Sequence, residues 1–348
     1  MSTANLDSAD LKAASYGGLI NEDVMQEIFD ISPIDLPYQD MASTGTSKQE
    51  YKEWTQDALA APDITNAVVD GADASGNNTV VGKRLGNHHQ ISSKVVRVSD
   101  RARSSDTIGR SDELVYQLMQ RQKELKRDVE AILLSNQASV ADDGNTTPGK
   151  TAGCGAMFAT NITNGTTAGF ANGIFPAPTP GAAAALSESG IRAAMEKAYT
   201  EGGDPRILMS IPRLIGALSE YLFTSTARVA TLTQDVMPAE ASGGRYGKQG
   251  VTAIGAVNVF VTDYGTLTLV PNRMQQTYLV SATPCANVYG FDPDYWEVSY
   301  LQGVQTKPLA RTGTAENRQM TVDYVNIAKQ EKSSFVIMGV DPALAVAA

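Results

Sequence analysis

The chain has 348 residues, enough for a sizeable core and one or two compact domains. Its 28 Lys and Arg stand against 38 Asp and Glu, a formal net charge of -10, which is the wrong sign for a protein drawn to nucleic acid by bulk electrostatics. No apolar run reaches the ~18 to 20 residues of a membrane span, and Met1-Ser2-Thr3-Ala4-Asn5 has neither region of a signal peptide, so the expectation is a soluble protein, intracellular when made.

Residues 1 to about 20 are polar and contain Gly17 and Gly18, the composition of an extended arm. Asn21 is placed to cap a short helix carrying Val24, Met25, Ile28 and Phe29 on one face, broken by Ser32-Pro33 and Leu36-Pro37. The arm is acidic: Asp7, Asp10, Glu22, Asp23, Glu27, Asp30, Asp35 and Asp40 face only Lys12.

Thr46 to Asp57 reads as a strand and Gln90 to Ser99 as another. Between them lies a long insert punctuated by Ala61-Pro62-Asp63 and by Gly71 to Asn78. Residues 46–99 are therefore expected to form a protruding two-stranded arm. A lone hairpin is barely stable in water, and a connection this long is functional or disordered, so another subunit is the economical cover. The second strand and its sequel are basic: Lys83, Arg84, Lys94, Arg97, Arg101, Arg103 and Arg110. The plain reading is a solvated surface. A sharper one pairs the strip with a neighbour's acidic arm, Glu22, Asp23 and Glu27 included, and DNA contact is a third.

From Ser111 to Ser139 the apolar residues Leu114, Val115, Leu118, Met119, Leu125, Val129, Ile132 and Leu133 recur at three and four, the helical period. Charged residues from Arg121 to Glu130 alternate with them as a solvated face, Ser111 or Asp112 can cap the start, and the turn cluster Asp142 to Asn145 follows the end. Such a helix, roughly 40 Å long at 1.5 Å per residue, suits a structural spine. Residues 141–186 read as loops with short strands. Ser187 to Tyr199 is a second helix ended by Gly202-Gly203, Arg206 to Ser210 a buried strand, and Pro212 to Leu222 a third helix. Residues 225–250 are polar and flexible in composition. Strands are then expected at Val257–Thr262, Leu267–Val270, Thr277–Ser281, Trp296–Leu301, Lys307–Ala310, Gln319–Ala328 and Ser334–Val340. The class is α+β, a long helix laid on antiparallel strands.

No chemistry stands out. His88 and His89 are the two histidines, and as strand neighbours they point to opposite faces and cannot chelate one metal. A Ser or Cys nucleophile would need one of them as base, beside a flexible arm. Cys154 and Cys285, far apart and without a CxxC partner, read as two reduced thiols. Phosphate-loop, dinucleotide, zincin and hydrolase-elbow motifs are absent. No catalytic, cofactor-binding or metal-ligating residue is assigned, and an enzyme of unrecognised family is the minor alternative. The aromatic cluster Tyr289, Phe291, Tyr295, Trp296 and Tyr300 fits a packed core or subunit seam better than a sugar-binding platform.

Four blocks, in order, resemble tailed-bacteriophage major head proteins: LSESGIRAAMEKAYTEGGDPRILMSIPRLIGALSEY at 186–221, VNVFVTDYGTLTLVPNR at 257–273, DPDYWEVSYLQGVQTKPL at 292–309, and the closing MTVDYVNIAKQEKSSFVIMGV. The early block from Ser32, ending EYKEWTQDAL, is similar to their lead into an extended loop. The resemblance implies the Hong Kong 97-type capsid fold: an N-terminal arm (1–45), an extended loop (46–105), a spine helix of the peripheral domain (106–149), an axial domain (150–285) and strands returning to the peripheral domain (286–348). It implies pentamers and hexamers closing into an icosahedral or prolate head around double-stranded DNA, made in a host cytoplasm, with a portal and a scaffold or cement protein as partners, DNA touched non-specifically at most, and no membrane. Loop Lys83 is not given the cross-linking role some relatives have.

On that view the subunit interface draws on Trp54, Leu59, Val68 and Val69 for apolar contact, and on Lys83, Arg84, Arg97, Arg101 and Arg103 against Glu22, Asp23 and Glu27 for charge. Exposed ion pairs contribute only about 0–1 kcal/mol each, so the apolar contacts dominate. Reversing Arg97, Arg101 and Arg103 together is expected to impair assembly and spare the fold. The alternative of another class is a virion decoration or tail-associated binding protein with a carbohydrate-facing aromatic patch.

Overall fold

The computed structural model describes residues 25–71, 73, 79, 81–224 and 258–347. The first half of the helix expected from Asn21, with the arm before it, lies outside those residues, and 25–36 is irregular. Pro37 then opens a single turn, α1 (Pro37–Met41), at a position where its missing N–H costs nothing.

One strand was expected over 46–57; there are two. β1 (Ser43–Thr46) and β2 (Tyr51–Gln56) are separated by a turn in which Ser47 Oγ donates to the Gln49 carbonyl at 3.2 Å. Such local side-chain bonds compete with a strand ladder. β2 pairs antiparallel with β3 (Lys83–His88), while β4 (Gln90–Ser99) joins a different sheet. The projecting hairpin is thus β2–β3, and the 90–99 strand belongs to the body.

After a short α2 (Asp100–Ser104), the spine helix α3 runs from Glu113 to Leu133, about 32 Å at 1.5 Å per residue. Asp112 caps it, its carboxylate accepting from Leu114 N at 2.9 Å. It stops six residues short of the expected Ser139. Residues 135–140 are bonded instead to 150–155, for example Val140 N to the Lys150 carbonyl at 3.0 Å and Gly153 N to the Gln137 carbonyl at 2.9 Å. A Cβ on Gly153 would lie 2.1 Å from the Ser135 carbonyl oxygen, so this approach requires glycine. Leu114, Leu125, Val129 and Leu133 form the buried stripe, and Glu130 is buried with them rather than solvated.

Then follow α4 (Cys154–Met157), β5 (Ile162–Thr163), β6 (Gly165–Thr166), β7 (Thr179–Pro180), α5 (Glu188–Thr200), β8 (Ile207–Ser210) and α6 (Pro212–Thr224). Ser187 caps α5 by accepting from Gly190 N at 3.0 Å. The late strands are β9 (Val259–Thr262), β10 (Gly265–Pro271), β11 (Tyr278–Val280), β12 (Thr283–Phe291), β13 (Trp296–Pro308), β14 (Ala315–Ala328) and β15 (Phe335–Val340). β12 was not expected, and the two strands anticipated at 296–301 and 307–310 are one, β13.

A four-stranded sheet runs β1-β13-β14-β4, with α3 across one face. A seven-stranded sheet runs β5-β15-β12-β8-β10-β9, with β11 beside β12. Both faces of its central strands β15, β12 and β8 are buried, and alternate residues serve different cores. Met209, Tyr289, Phe291, Val336 and Met338 face the cluster around α3, while Leu208, Ala286, Val288, Phe335 and Ile337 face that of α5 and α6. A strand covered on both sides loses the polar alternation that advertises strands, which is why β12 is silent in the sequence.

Trp296 is the centre of the first core. Its indole N–H donates to Ser334 Oγ at 2.9 Å, and its ring lies edge-on to Phe291 at 5.1 Å. Tyr289, Phe291 and Trp296 are fully buried and belong to the core, Tyr300 is half-buried, and Tyr295 is exposed, so no stacked aromatic platform faces solvent. Cys154 and Cys285 are both buried and form no disulfide.

Candidate assembly surface

Three features converge where the arm and loop leave the body. The first is a buried carboxylate. Glu130, on α3, accepts from Tyr38 N at 2.7 Å, Gln39 N at 3.1 Å, Gln39 Nε2 at 3.0 Å and Asn272 Nδ2 at 2.7 Å. The two backbone donors belong to the first turn of α1, whose N–H groups have no helical acceptor. One side chain thus ties the end of the arm, the spine and the β10–β11 connection together. Burial raises its pKa above the ordinary 4.5, against the opposing pull of those donors. Sequence reasoning placed Glu130 on the solvated face. Its partners lie 91 to 142 residues away, and no local pattern signals them.

The second feature closes the root of the loop. His89 Nδ1 lies 2.9 Å from Asp323 Oδ1 and Nε2 lies 2.9 Å from Ser47 Oγ, all three residues being buried. Ser47 immediately follows β1 and His89 separates β3 from β4, so the trio fastens the two ends of the loop to β14. The order Asp–His–Ser is that of a nucleophile relay. Here the Ser47 hydroxyl also donates to the Gln49 carbonyl at 3.2 Å, so the trio works as a fastening between loop and sheet. His88, pointing the other way, packs on Tyr51 with ring centroids 4.5 Å apart, and partial burial lowers its pKa.

The third is the hairpin itself, which lies against its own subunit. Trp54 stacks on Phe175 with centroids 6.2 Å apart, Tyr51 OH donates to the Gly173 carbonyl at 2.8 Å, and Gln56 Nε2 donates to the Lys329 carbonyl at 2.8 Å. Trp54, expected at a subunit interface, is half-buried and packs against the core of its own chain, and its indole N–H has no hydrogen-bond partner among the described residues. A cavity of about 380 Å³ lies under the hairpin, lined by Phe170, Phe175, Thr160 and Glu331 among others.

Beyond Gln56 the chain lies in the open. Leu59 and Ile64 are 99% exposed, Val68 77% and Val69 80%. Burying such side chains is worth about 1.5–3 kcal/mol apiece, and here that gain is unrealised. The arm shows the same property: Met25, Phe29, Ile31 and Ile34 are exposed, while Gln26 accepts from Gly109 N at 3.0 Å and Asp30 from Gln120 Nε2 at 3.2 Å along the flank of α3.

The charged candidates divide. Glu22 and Asp23 lie outside the described residues, and Glu27 is exposed. Arg84 pairs with Glu53 across the hairpin. Arg103 is bound within its own subunit, to Glu316 at 2.7 Å and Asp112 at 3.2 Å. Lys83, Arg97 and Arg101 are exposed and have no ion-pair partner among the described residues.

Residues 3–341 match the family described as SU10 major capsid protein. A 108-residue stretch is 44% identical to the major capsid protein of Escherichia phage Phieco32, covering 31% of this chain and 31% of that relative. Among solved structures, the chain superposes on the capsid of Myoviridae phage XM1 with a TM-score of 0.55 at 11% identity, covering 93% of this chain and 99% of the other. It superposes on the SrpI encapsulin complex of Synechococcus elongatus with a TM-score of 0.54 at 12% identity, covering 99% and 98%. Identities this low establish the fold alone, and it is the Hong Kong 97-type capsid fold expected from the four sequence blocks.

Proposed function

The chain belongs to the SU10 major capsid protein family, and on that premise we propose that it is the repeating subunit of the head shell of a tailed bacteriophage, enclosing double-stranded DNA. The observation that carries the mechanism is the contrast between a closed core and a loop whose apolar side chains Leu59, Ile64, Val68 and Val69 stand largely in solvent. Shell formation draws its free energy from many copies of that missing contact. Repeated heterologous contacts whose rotation closes give rings, here pentamers and hexamers.

In this reading Leu59, Val68 and Val69 are the apolar contacts to a neighbour, and Arg97 and Arg101 are the cations facing its acidic arm. The chain serves as a structural protein rather than an enzyme; the Asp–His–Ser trio found among the described residues is buried and ties the loop to β14. The decoration or tail-associated reading loses its basis with the burial of Tyr289, Phe291 and Trp296. A portal and a scaffold or cement protein are the expected partners, the virion is the expected location after synthesis in the host cytoplasm, and the net charge of -10 weakens attraction to DNA, which is touched non-specifically at most.

Negative-stain microscopy and light scattering of the purified chain test this. Closed shells, or hexameric and pentameric rings, are the expected result. A monodisperse monomer under every assembly condition, with residues 57–71 protected from protease, contradicts it.

A further inference from the structure

We propose that Asn172 is a site of spontaneous covalent modification, converting through a cyclic imide to aspartate and isoaspartate and thereby loosening the seat of the β2–β3 hairpin. The reaction needs water alone and does not depend on assembly into a shell.

An asparagine followed by glycine can close on its own backbone. The amide nitrogen of the glycine attacks the asparagine Cγ, the side-chain nitrogen leaves as ammonia with the proton that the attacking nitrogen gives up, and a five-membered imide forms. Water then opens the ring. Cleavage at Cγ gives aspartate with the backbone restored. Cleavage at the main-chain carbonyl routes the chain through the side chain and gives isoaspartate, with one methylene more in the backbone. One water enters for the ring opening and one ammonia leaves. The closure needs a mobile asparagine amide and free space around the glycine nitrogen.

The sequence has two Asn-Gly pairs, Asn164-Gly165 and Asn172-Gly173, and the fold treats them oppositely. Asn164 Nδ2 donates to the Ala182 carbonyl at 2.8 Å and to the Met338 carbonyl at 2.9 Å. A Cβ on Gly165 would lie 3.0 Å from Met338 Sδ and 3.3 Å from the Thr179 carbonyl oxygen. That amide is held and its surroundings are full. Asn172 is exposed, and its side chain makes no hydrogen bond among the described residues. A Cβ on Gly173 would meet Tyr51 Oη alone, at 3.6 Å. Asn172 and Gly173 have φ of 53° and 81°, the left-handed pair of a two-residue hairpin turn. This turn is closed by an isolated bridge between Ala171 and Ile174 and by no longer ladder, so breaking two hydrogen bonds frees the rotation that attack requires.

The turn lies where the hairpin rests on the body. Tyr51 OH donates to the Gly173 carbonyl, Trp54 stacks on Phe175, and Phe170 packs on Phe175 with centroids 5.1 Å apart. The two Ala171–Ile174 bonds, both 3.1 Å, cannot keep their geometry around a turn one methylene longer. Isoaspartate therefore displaces the Gly173 carbonyl and Phe175 from under β2, whereas aspartate leaves the backbone as it was. The hold on the hairpin declines with the age of the chain.

Peptide mapping that separates aspartate from isoaspartate, on the full chain aged at neutral and at mildly alkaline pH, tests the proposal. Asn172 should convert, faster at the higher pH because the attacking nitrogen must lose its proton. Asn164 should convert roughly tenfold or more slowly, since its two side-chain hydrogen bonds must break first. In the same samples, protease cleavage after Gln56 should rise with the isoaspartate fraction. Asn172→Gln, whose closure would need a six-membered ring, should show neither product nor rise. Freshly purified Asn172→Asp carries the charge without the longer backbone and should be cleaved like fresh wild type. Asn172 intact after ageing, or Asn164 converting as fast, overturns the site. Isoaspartate at 172 without faster cleavage after Gln56 overturns its effect on the hairpin. Each of these results leaves the shell reading standing, because particle imaging tests that separately.

Discussion

The junction around Glu130 and the loop beyond Gln56 are built to opposite specifications. At the junction every donor that reaches the carboxylate comes from the same subunit, and four bonds satisfy one buried charge. On the loop, large apolar side chains stand in solvent and the ladder ends at Gln56–Lys83. The first region is complete as a monomer and the second is not. A fold can thus be stable before assembly and still hold unspent hydrophobic free energy for it.

The sharpest way to break this contrast is to excise the loop. Replacing residues 58–81 by a two-residue Asn-Gly turn should abolish particles altogether while leaving the urea midpoint of the subunit nearly unchanged, since surface changes cost within about 0.5 kcal/mol. A shell from the shortened chain, or a subunit that no longer folds, would erase the distinction between the two regions.

The reverse experiment attacks the junction. Glu130→Ala deprives the Tyr38 and Gln39 backbone N–H groups of their acceptor and leaves the Asn272 amide with only the weak acceptor Met209 Sδ, at about 3 kcal/mol of subunit stability in denaturant titration; Glu130→Gln, which keeps one acceptor oxygen, should cost about half. Acid provides a second handle. A carboxyl whose folded pKa lies above its unfolded value contributes stability that is present below the unfolded pKa and lost as pH rises through the folded one. Because burial raises Glu130 above 4.5, the stability of the wild type relative to Glu130→Gln should increase as pH falls from neutrality toward 4.5. A gap that narrows instead would mean the donors outweigh burial and the carboxylate is comfortable when charged.

How far these two regions could be read in the sequence differs for the same reason. The spine, the caps at Asp112 and Ser187 and the α5–β8–α6 unit follow local rules and were legible from period and capping residues. The exposed loop was legible too, because an acidic stretch with Leu59, Ile64, Val68 and Val69 and no regular period announces that nothing nearby covers it. What stayed hidden depends on distant chain: Glu130 looks like any solvated glutamate, the Ser47–His89–Asp323 fastening joins positions 42 and 234 residues apart, and β12 is apolar on both faces. The contact of Trp54 within its own subunit was hidden for a related reason. An aromatic on a projecting hairpin suggests a neighbour, and only the position of Phe175 shows that it has a partner at home.

That position yields a smaller test, at the border between the two regions. Trp54→Ala removes the stack on Phe175 from a half-buried site and should cost about 2 kcal/mol, expressed as faster proteolysis after Gln56 rather than as a lower global midpoint. If the global midpoint falls in step with proteolysis, the hairpin root belongs to the body and the boundary between complete and incomplete regions lies further out.

The smallest effect concerns the arginines, and it separates charges used at home from charges kept for a neighbour. Arg103 is bound to Glu316 and Asp112 at a site 44% exposed, where a pair contributes about 0–1 kcal/mol. Arg103→Glu should therefore lower subunit stability by less than about 1 kcal/mol and leave the assembly yield unchanged. Arg97→Glu and Arg101→Glu touch no intramolecular pair among the described residues, so neither should move the midpoint, yet together they should reduce assembly. The reduction should be larger at low ionic strength, because the Debye length shortens from about 30 Å at 0.01 M salt to about 10 Å at 0.1 M. Light scattering of the single and double variants across that range reads both effects. If Arg103→Glu impairs assembly as much as the Arg97–Arg101 pair does, its bonds to Glu316 and Asp112 give way in the shell, and the three arginines act as one strip after all.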